Sequence, residues 1–425
     1  MAARFTLASG ITEKLDTFSA YISTFSKRSL SLLLLLTTTI SVCFLYSSQS
    51  PNLLSSTTDG FRYAHNKSHL LSPGKYDCAR CEQPLDNYYY NYHKKLEPKQ
   101  IWDACLDRGV VPEYYLTIVM VARNDDYAGN QFHRLQNAID STFTLAEKTK
   151  TLIEFLIIEW NPPAGRRRIR ETYRFRRSEY LTYRIITVPR KIHETLSGEG
   201  GPNVLEYEGK NVGIRFARGE FIVSTNQDDV WSPNMHNAVV SRSFRKKMFY
   251  TQYQDSHTPY DDLPSTIVNV PSFTTDDGLL EACSHDAYES HAFTFPSPQV
   301  MDTTNFLVIA HEASDFTLAH RDTWQMTQGY RETGAKTWMD MELLLTAAWT
   351  LDIPITYTRD TLSCHQQHQT VVHPNSDVDN QGVDVGKMMT KEEIHMNEKD
   401  QWGLQNIKLW EYGLQCEVFR GGLGI

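Results

Sequence analysis

The chain has 425 residues, of which 40% are hydrophobic and 22% are charged. This composition excludes a disordered or fibrous protein, and the length suffices for one large α/β domain or two smaller ones. The formal net charge of -9 argues against a protein that binds nucleic acid, because such proteins present a basic face. An anionic substrate would therefore have to meet local cations or a metal ion.

An uncharged apolar run, SLSLLLLLTTTISVCFLY, occupies residues 29–46, directly after Lys27 and Arg28. Its length is close to the minimum for a membrane span, and the preceding positive charges predict a cytosolic tail at 1–28. We therefore predict a single-pass type II signal-anchor in the Golgi or endoplasmic reticulum membrane, with the rest of the chain in the lumen. A cleaved signal peptide is the alternative, since small polar residues follow the run.

Residues 47–110 read as a lumenal stem and a cysteine-containing lead-in, and Asn66 begins an N-glycosylation acceptor sequence. Of the seven cysteines, Cys43 lies in the span and the other six follow it. An even number in a lumen predicts disulfides, whose pairing stays open. The pair Cys78 and Cys81 could instead be a metal knuckle or a redox motif, although no second CxxC completes a zinc site.

An α/β domain follows, which we assign to residues 111–374. Continuous apolar runs predict buried strands at 115–122, 152–158 and 183–188. A helical pattern begins after residue 130, so strands and helices alternate as in a mostly parallel sheet. Residues 165–177 carry seven arginines in a stretch that otherwise predicts a helix. A solvated, ion-paired helix face is favoured there over a surface for an anionic acceptor or phosphate.

Residues 210–231, KNVGIRFARGEFIVSTNQDDVW, predict a helix, a turn, a strand and then the adjacent carboxylates Asp228 and Asp229. Open α/β sheets bind ligands at the carboxyl edge of their strands. Paired acids at that edge can hold a hard divalent cation, which can neutralise a departing diphosphate. The alternative is that the acids cap the following helix.

The ordered set of strand ends resembles the GT-A glycosyltransferases, close to the inverting family-2 type. The resemblance spans about residues 116–368 and rests on VARNDD, IIEWN, KNVGIRFARGEF, STNQDD, ASDFTLAHRDTW with GYRET, and WMDMELL. It implies a Rossmann-like GT-A fold with a mostly parallel central sheet and flanking helices. It also implies transfer of a single sugar from a nucleotide-diphosphate sugar to the hydroxyl of a glycan, glycolipid or glycoprotein acceptor.

By the same resemblance, the first strand ends hold the nucleotide. The implied donor-binding residues are Arg123, Asn124, Asp125, Glu159, Asn211, Asn226 and Asp229. A carboxylate at a strand edge can accept a hydrogen bond from a base nitrogen or a ribose hydroxyl.

The family's metal motif, Asp-x-Asp, aligns with Asn226-Gln227-Asp228, so Asn replaces the first acid. Asp228 is then the anionic ligand for Mn²⁺ or Mg²⁺. His365 and His368 follow a predicted short strand, and we place them with Asp228 as candidate contacts of the metal or the diphosphate. A hydrogen-bonded structural pair is equally compatible with their HxxH spacing.

Inversion needs a base that takes the proton of the acceptor hydroxyl. The resemblance implies this role for Asp340 at a helix start, with Glu342 as a lower-ranked candidate on another face of the helix. A capping or dipole role is the alternative for Asp340. Asp315 would lie on the acceptor side.

Residues 375–425 predict a polar linker and a C-terminal segment that docks through Trp402. Two other functions stay open. One is a non-catalytic glycan-binding or nucleotide-binding protein of the same fold, which Asn226 in place of an acid would favour. The other is a metal-dependent hydrolase that uses His365, His368 and the carboxylates.

Overall fold

The computed structural model describes residues 106, 108–197, 201–252, 267–270, 272–284, 293–295, 316–334, 338–358, 361–368, 384–390, 392–399, 401–407 and 409–422. The predicted span at 29–46, the stem with Asn66, the Cys78 and Cys81 pair, and the candidate Asp315 all lie outside these ranges. Within them, no helix combines the length and the apolar character that a bilayer crossing requires.

Strands and helices alternate along the described chain. The strands are β1 (Tyr114–Ala122), β2 (Ile153–Trp160), β3 (Leu181–Val188), β4 (Gly219–Thr225), β5 (Asp229–Trp231), β6 (Phe249–Gln252), β7 (Ile267–Val268), β8 (Phe293–Phe295), β9 (Phe316–His320), β10 (Ile355–Thr358), β11 (Ser363–Gln366) and β12 (Gln415–Phe419). The helices are α1 (Gln131–Thr149), α2 (Ile169–Thr172), α3 (Arg190–Ser197), α4 (Glu206–Phe216), α5 (Pro233–Ser241), α6 (Asp276–Ala282), α7 (Arg321–Thr327), α8 (Met339–Thr350), α9 (Val385–Met389) and α10 (Leu409–Tyr412).

Nine of these strands form one mixed sheet in the order β12-β3-β2-β1-β4-β9-β6-β10-β8. The strands β3, β2, β1 and β4 are parallel neighbours, and β10 is parallel to β6. The strands β12, β9 and β8 run antiparallel to their neighbours. The predicted α/β class with a large central sheet is therefore confirmed, but the sheet is mixed rather than mostly parallel, because four of its eight strand pairings are antiparallel. The C-terminal segment adds its own strand to that sheet.

Both faces of β1 are buried, which explains its continuous apolar sequence. Val119 and Val121 belong to the core that includes residues of α4, whereas Ile118 and Met120 belong to the core that includes residues of α1. The helix α4 lies unusually close to β1. A Cβ atom added at Gly213 would come within 2.3 Å of Val119 Cγ1. This close approach fixes the position of the polar residues that α4 carries toward the sheet edge.

The predicted helix over the arginine-rich segment is wrong, because only Ile169–Thr172 is helical there. Its arginines instead pair with acids from other elements: Arg168 contacts Glu159 at 3.1 Å, and Arg174 contacts Asp140 at 3.1 Å. Buried Tyr173 and Phe175 lie on either side of Arg174 in the sequence, so this part of the segment is extended rather than helical. The ion-paired interpretation of these two arginines is confirmed.

A second sheet of three strands, in the order β5-β11-β7, lies beside the main one. The sequence prediction placed His365 after a strand, but the residue lies within β11, where it is paired with Asp229 of β5. A disulfide joins Cys283 to Cys364 with 5.6 Å between their Cα atoms. Cys416 is also disulfide-bonded. The disulfide at Cys364 holds β11 in place directly before the candidate ligand His365.

Candidate active site

Three candidate metal ligands from two separate parts of the chain lie together beside the end of β4. Asp228 lies in the turn between β4 and β5, His365 lies in β11, and His368 follows that strand. Their ligand atoms all lie within 4.8 Å of one another. The antiparallel pairing of β5 with β11 produces this juxtaposition, because it sets His365 opposite the residue that follows Asp228.

The spacing of these atoms suits a divalent ion. The Nε2 atoms of His365 and His368 are 3.0 Å apart and form the hydrogen bond that the alternative interpretation of the HxxH spacing predicted, and His368 Nε2 is 3.5 Å from Asp228 Oδ2. Ligands on adjacent corners around an ion are about 3.0 Å apart in octahedral geometry and about 3.4 Å in tetrahedral geometry. Two imidazoles and one carboxylate favour a first-row transition metal ion over Mg²⁺, which prefers oxygen ligands. The residues present therefore fit a metal such as Mn²⁺.

Asp229 contacts the Nδ1 side of the His365 ring. Its Oδ1 is 3.3 Å from His365 Nδ1, while its Oδ2 accepts from the Thr225 hydroxyl and from the backbone N–H of Asn226. A carboxylate bonded to Nδ1 of a histidine fixes the ring so that Nε2 is presented to a metal. Burial raises the pKa of Asp229. Asp229 is fully buried, so the structure places it behind the imidazole rather than in the predicted donor-binding position.

Lys210 connects the turn before β5 with the helix start at Asp340. Its buried ammonium donates to Asn226 Oδ1 at 3.1 Å and contacts Glu206 Oε1 at 2.8 Å. It also lies 5.3 Å from the ring of Tyr207. The hydroxyl of Tyr207 in turn donates to Asp340 Oδ1 at 3.3 Å. The amino group of Lys210 therefore lies between the candidate metal motif and the candidate base.

Asp340 and Glu342 both lie in the first turn of α8 but have different partners, as their spacing predicts. Burial raises the pKa of Asp340, although Lys210 and the Tyr207 hydroxyl act in the opposite direction. Glu342 Oε1 is held by Arg331 Nη1 at 2.7 Å, and burial raises the pKa of Glu342 as well. Of the two acids, Asp340 is the one bonded to Tyr207 beside Lys210.

Three predicted nucleotide contacts stand at the end of β1. Arg123 donates to the carbonyl of Asn161 at 2.7 Å and contacts Asp125 Oδ2 at 2.5 Å. Asn124 donates to the carbonyl of Arg167 at 2.8 Å. These side chains are partly exposed, so the first strand end presents polar groups at the same edge as the metal candidates.

The structure does not bring Glu159 and Asn211 to this surface. Glu159 accepts hydrogen bonds from the backbone of Ile169 and the hydroxyl of Thr187, in addition to its contact with Arg168. Asn211 exchanges hydrogen bonds with the backbone of Tyr330 and donates to Glu332. Both are buried, and their polar atoms hold neighbouring segments in place.

Sequence reasoning missed four polar residues of the site: Lys210, Tyr207, Gln131 and Arg134. Gln131 donates to Gln227 Oε1 at 2.6 Å, and Arg134 donates to Asp228 Oδ2. The sequence contains two patterns that could have indicated these residues. Gln131 and Arg134 are three residues apart at the start of the helix after β1, and Tyr207 and Lys210 have the same spacing on α4. Such pairs share a helix face that can meet a strand end.

Glu208 provides a prediction about stability. Its Oε1 accepts from the backbone N–H of Gly334 at 2.7 Å, while no donor in the described ranges reaches Oε2. Burial raises the pKa of Glu208 from 4.5 to about 7. Between these values the folded protein keeps a proton that the unfolded chain loses, so stability falls as the pH rises through this window. The full loss is about 3 kcal/mol.

Glu208→Gln should remove this slope, so that the free energy of unfolding in urea changes less between pH 5 and pH 7.5 than in the wild type. Glu194→Gln is the matched control, because Glu194 is an exposed helix acid paired with Arg190 at 2.6 Å. Its pH profile should follow the wild type. An unchanged slope in Glu208→Gln would show that Glu208 ionises normally in the folded protein.

No protein-family model matches the chain, and no curated protein matches it. Among solved structures, the catalytic domain of Drosophila beta1,4galactosyltransferase 7 with xylobiose is 10% identical, with a TM-score of 0.32, over 67% of this chain and 83% of that one. GalNAc-T7 with UDP, GalNAc and Mn²⁺ is 11% identical, with a TM-score of 0.37, over 62% and 46%. The mannosyltransferase PcManGT from Pyrobaculum calidifontis with GDP-Man and Mn²⁺ is 12% identical, with a TM-score of 0.31, over 59% and 58%.

All three are glycosyltransferases, and this chain spans less than two thirds of the second and third. Likeness at these identities and TM-scores assigns no activity to this chain. Its function is therefore inferred from its own site.

Proposed function

We propose that the chain is a glycosyltransferase of the inverting, family-2 type. It moves a single sugar from a nucleotide-diphosphate sugar to a hydroxyl of a glycan, glycolipid or glycoprotein, with the help of a divalent metal ion. One observation supports this most directly: Lys210 donates to Asn226, two residues before the candidate ligand Asp228, and lies 5.3 Å from the ring of Tyr207, whose hydroxyl donates to the buried acid Asp340. Transfer needs positive charge at the leaving group and a base at the acceptor.

Asp228, His365 and His368 would hold the metal, which supplies positive charge to the diphosphate when bound. Mn²⁺ is the proposed ion because it is a first-row transition metal ion that also suits carboxylate and diphosphate oxygens, whereas the two imidazoles disfavour Mg²⁺. Lys210 is positioned to add a second positive charge near the same place. Arg123, Asn124 and Asp125 are the proposed contacts of the base and ribose, while Glu159 and Asn211 would contribute by holding the neighbouring segments.

The proposed chemistry is a displacement at the anomeric carbon. The acceptor oxygen forms a bond to that carbon while the bond to the diphosphate oxygen breaks, and the electron pair leaves with the diphosphate. Asp340 takes the proton of the acceptor hydroxyl. A raised pKa makes its carboxylate a stronger base than an exposed Asp, and the Tyr207 hydroxyl keeps that carboxylate oriented. Asp315 stays a candidate on the acceptor side.

For its location in the cell, we propose a type II protein of the Golgi or endoplasmic reticulum membrane with the site in the lumen. The apolar run at 29–46 after Lys27 and Arg28 supports this. The disulfide between Cys283 and Cys364 agrees with an oxidising compartment.

A metal-dependent hydrolase is the second candidate, because two histidines and one acid could also activate a metal-bound water. The two functions differ in their products. A transferase joins the sugar to an acceptor, whereas a hydrolase releases free sugar whether or not an acceptor is present.

The test uses the full chain in detergent with Mn²⁺, a panel of UDP-sugars and GDP-sugars, and a panel of glycan acceptors. We expect one donor to release nucleoside diphosphate with sugar appearing on an acceptor, and NMR of the product to show inverted anomeric configuration. Free sugar alone would support the hydrolase. Donor binding without any release would support a non-catalytic protein.

A further inference from the structure

Arg134 connects the candidate metal ligand Asp228 with a nearby loop, because its two terminal nitrogens bond to different partners. The residue lies in α1 and is 1% exposed. Its Nη1 donates to Asp228 Oδ2, while its Nη2 donates to the backbone carbonyls of Tyr127 and Gly129, the latter at 3.0 Å. These carbonyls belong to the loop at 123–130 between β1 and α1, called the β1–α1 loop below.

The β1–α1 loop has an unusual backbone. Asp126, Ala128 and Asn130 have φ angles of 62°, 57° and 54°, in the left-handed region that residues other than glycine rarely adopt. Contacts from α1 hold this conformation. The Oε1 of Gln131 accepts from the backbone N–H of Asp126 at 2.7 Å, and its Nε2 donates to Gln227 Oε1 at 2.6 Å. The loop is thus tied to the turn of the metal candidates through both Gln131 and Arg134.

The charge of Arg134 matters for metal binding. A guanidinium is permanently charged, so Asp228 already has a cationic partner before any metal arrives. A divalent ion that approaches the same carboxylate meets this positive charge and competes with it for the oxygen lone pairs. The competition takes place in a buried position, where solvent screens charges least.

We infer that Arg134 is a resident counter-cation that competes with the divalent ion for Asp228 and thereby couples metal binding to the β1–α1 loop. The inference rests on the proposed metal site. When the ion binds Asp228, the contact of Arg134 with this carboxylate weakens, and its hold on the carbonyls of Tyr127 and Gly129 changes with it. The same loop carries Arg123, Asn124 and Asp125, so metal binding and nucleotide binding would affect each other reciprocally.

The experiment compares Mn²⁺ binding by the full wild-type chain and by Arg134→Gln, using isothermal titration calorimetry. Removing the competing charge should tighten the Mn²⁺ dissociation constant by about tenfold or more. Without metal, the variant should have a lower Tm, because Asp228 loses its partner. Saturating Mn²⁺ should then raise its Tm by more than it raises that of the wild type.

The matched control is Arg184→Gln. Arg184 and Glu154 form another buried pair, 3.0 Å apart, in the sheet core away from the metal candidates. Its loss should lower the Tm but leave the Mn²⁺ dissociation constant and the Mn²⁺-induced rise in Tm as in the wild type. This control separates competition for the metal from a general effect of removing a buried arginine.

Hydrogen exchange gives an independent measurement of the coupling. Mn²⁺ should change amide exchange in the peptide covering 123–130 in the wild type, and the change should be smaller in Arg134→Gln. If that variant does not fold, Arg134→Lys keeps the charge but lacks the planar fork, so it should retain the wild-type Mn²⁺ affinity while losing the exchange response.

Three results would overturn the inference. The first is that Arg134→Gln binds Mn²⁺ no more tightly than the wild type. The second is that Arg134→Lys keeps the full exchange response. The third is that the wild-type chain binds no Mn²⁺ at all, which contradicts the proposed metal site itself and is thereby distinguishable from the first two.

Discussion

Asp228→Asn is expected to lower the Mn²⁺-dependent transfer rate by about 10³-fold or more, because a metal at the leaving group contributes several kcal/mol to the transition state. Asn keeps the shape of Asp and can still accept from Arg134, but the buried guanidinium loses its anionic partner, so the Tm should fall and is measured alongside the rate. What is lost is the negative charge among the three candidate ligands. The measurement is the transfer rate as a function of Mn²⁺ concentration, together with the Mn²⁺ dissociation constant by calorimetry.

Asp277→Asn is the control for this prediction, since Asp277 is an exposed acid paired with Lys148 on the surface. It should transfer sugar at the wild-type rate. Asp229→Asn should give an intermediate result, because Asp229 orients His365 without being a proposed ligand. Loss of such an orienting carboxylate typically weakens metal binding about 10-fold to 100-fold. Full Mn²⁺-dependent activity in Asp228→Asn would remove Asp228 from the metal site.

The central strands of the sheet could be predicted because they are buried on both faces. An apolar run such as Leu116–Ala122 has few alternatives in a chain of this composition. The strand β12 was not predicted, since polar Gln415 and Glu417 alternate with Cys416 and Val418 in a strand of five residues at the edge of the sheet. Its pairing with β3 depends on a contact between distant parts of the chain that no local pattern encodes.

The candidate metal ligands could be predicted from residue type, but their arrangement could not. Asp228 and His368 are far apart in the sequence, and the pairing of β5 with β11 brings them together. The roles of Asp229 and Glu159 were harder still to predict, because the sequence of a strand end is the same whether its carboxylate faces solvent or the protein interior. Burial and hydrogen-bond partners decide between these cases, and both are properties of the folded chain.

The second large effect concerns the proposed base. Asp340→Asn should lower kcat by about 10²-fold to 10⁴-fold, the range for loss of a positioned general base, with little change in the KM for the donor. Glu342→Gln is the matched comparison, because it changes the neighbouring acid that Arg331 holds on the other side of α8. If Glu342→Gln loses more activity than Asp340→Asn, the roles of the two acids are reversed.

The pH profile tests the same assignment without removing the carboxylate. Burial raises the pKa of Asp340, and the carboxyl must be ionised to act as a base. On acidification, activity should therefore begin to fall at a higher pH than it would if the base were an exposed Asp. The Tyr207 hydroxyl opposes this shift by donating to Oδ1 at 3.3 Å. Tyr207→Phe should therefore move the acid limb of kcat to still higher pH, and the loss of the orienting hydrogen bond should lower the plateau at high pH as well. A limb that does not move would mean that a group other than Asp340 controls it.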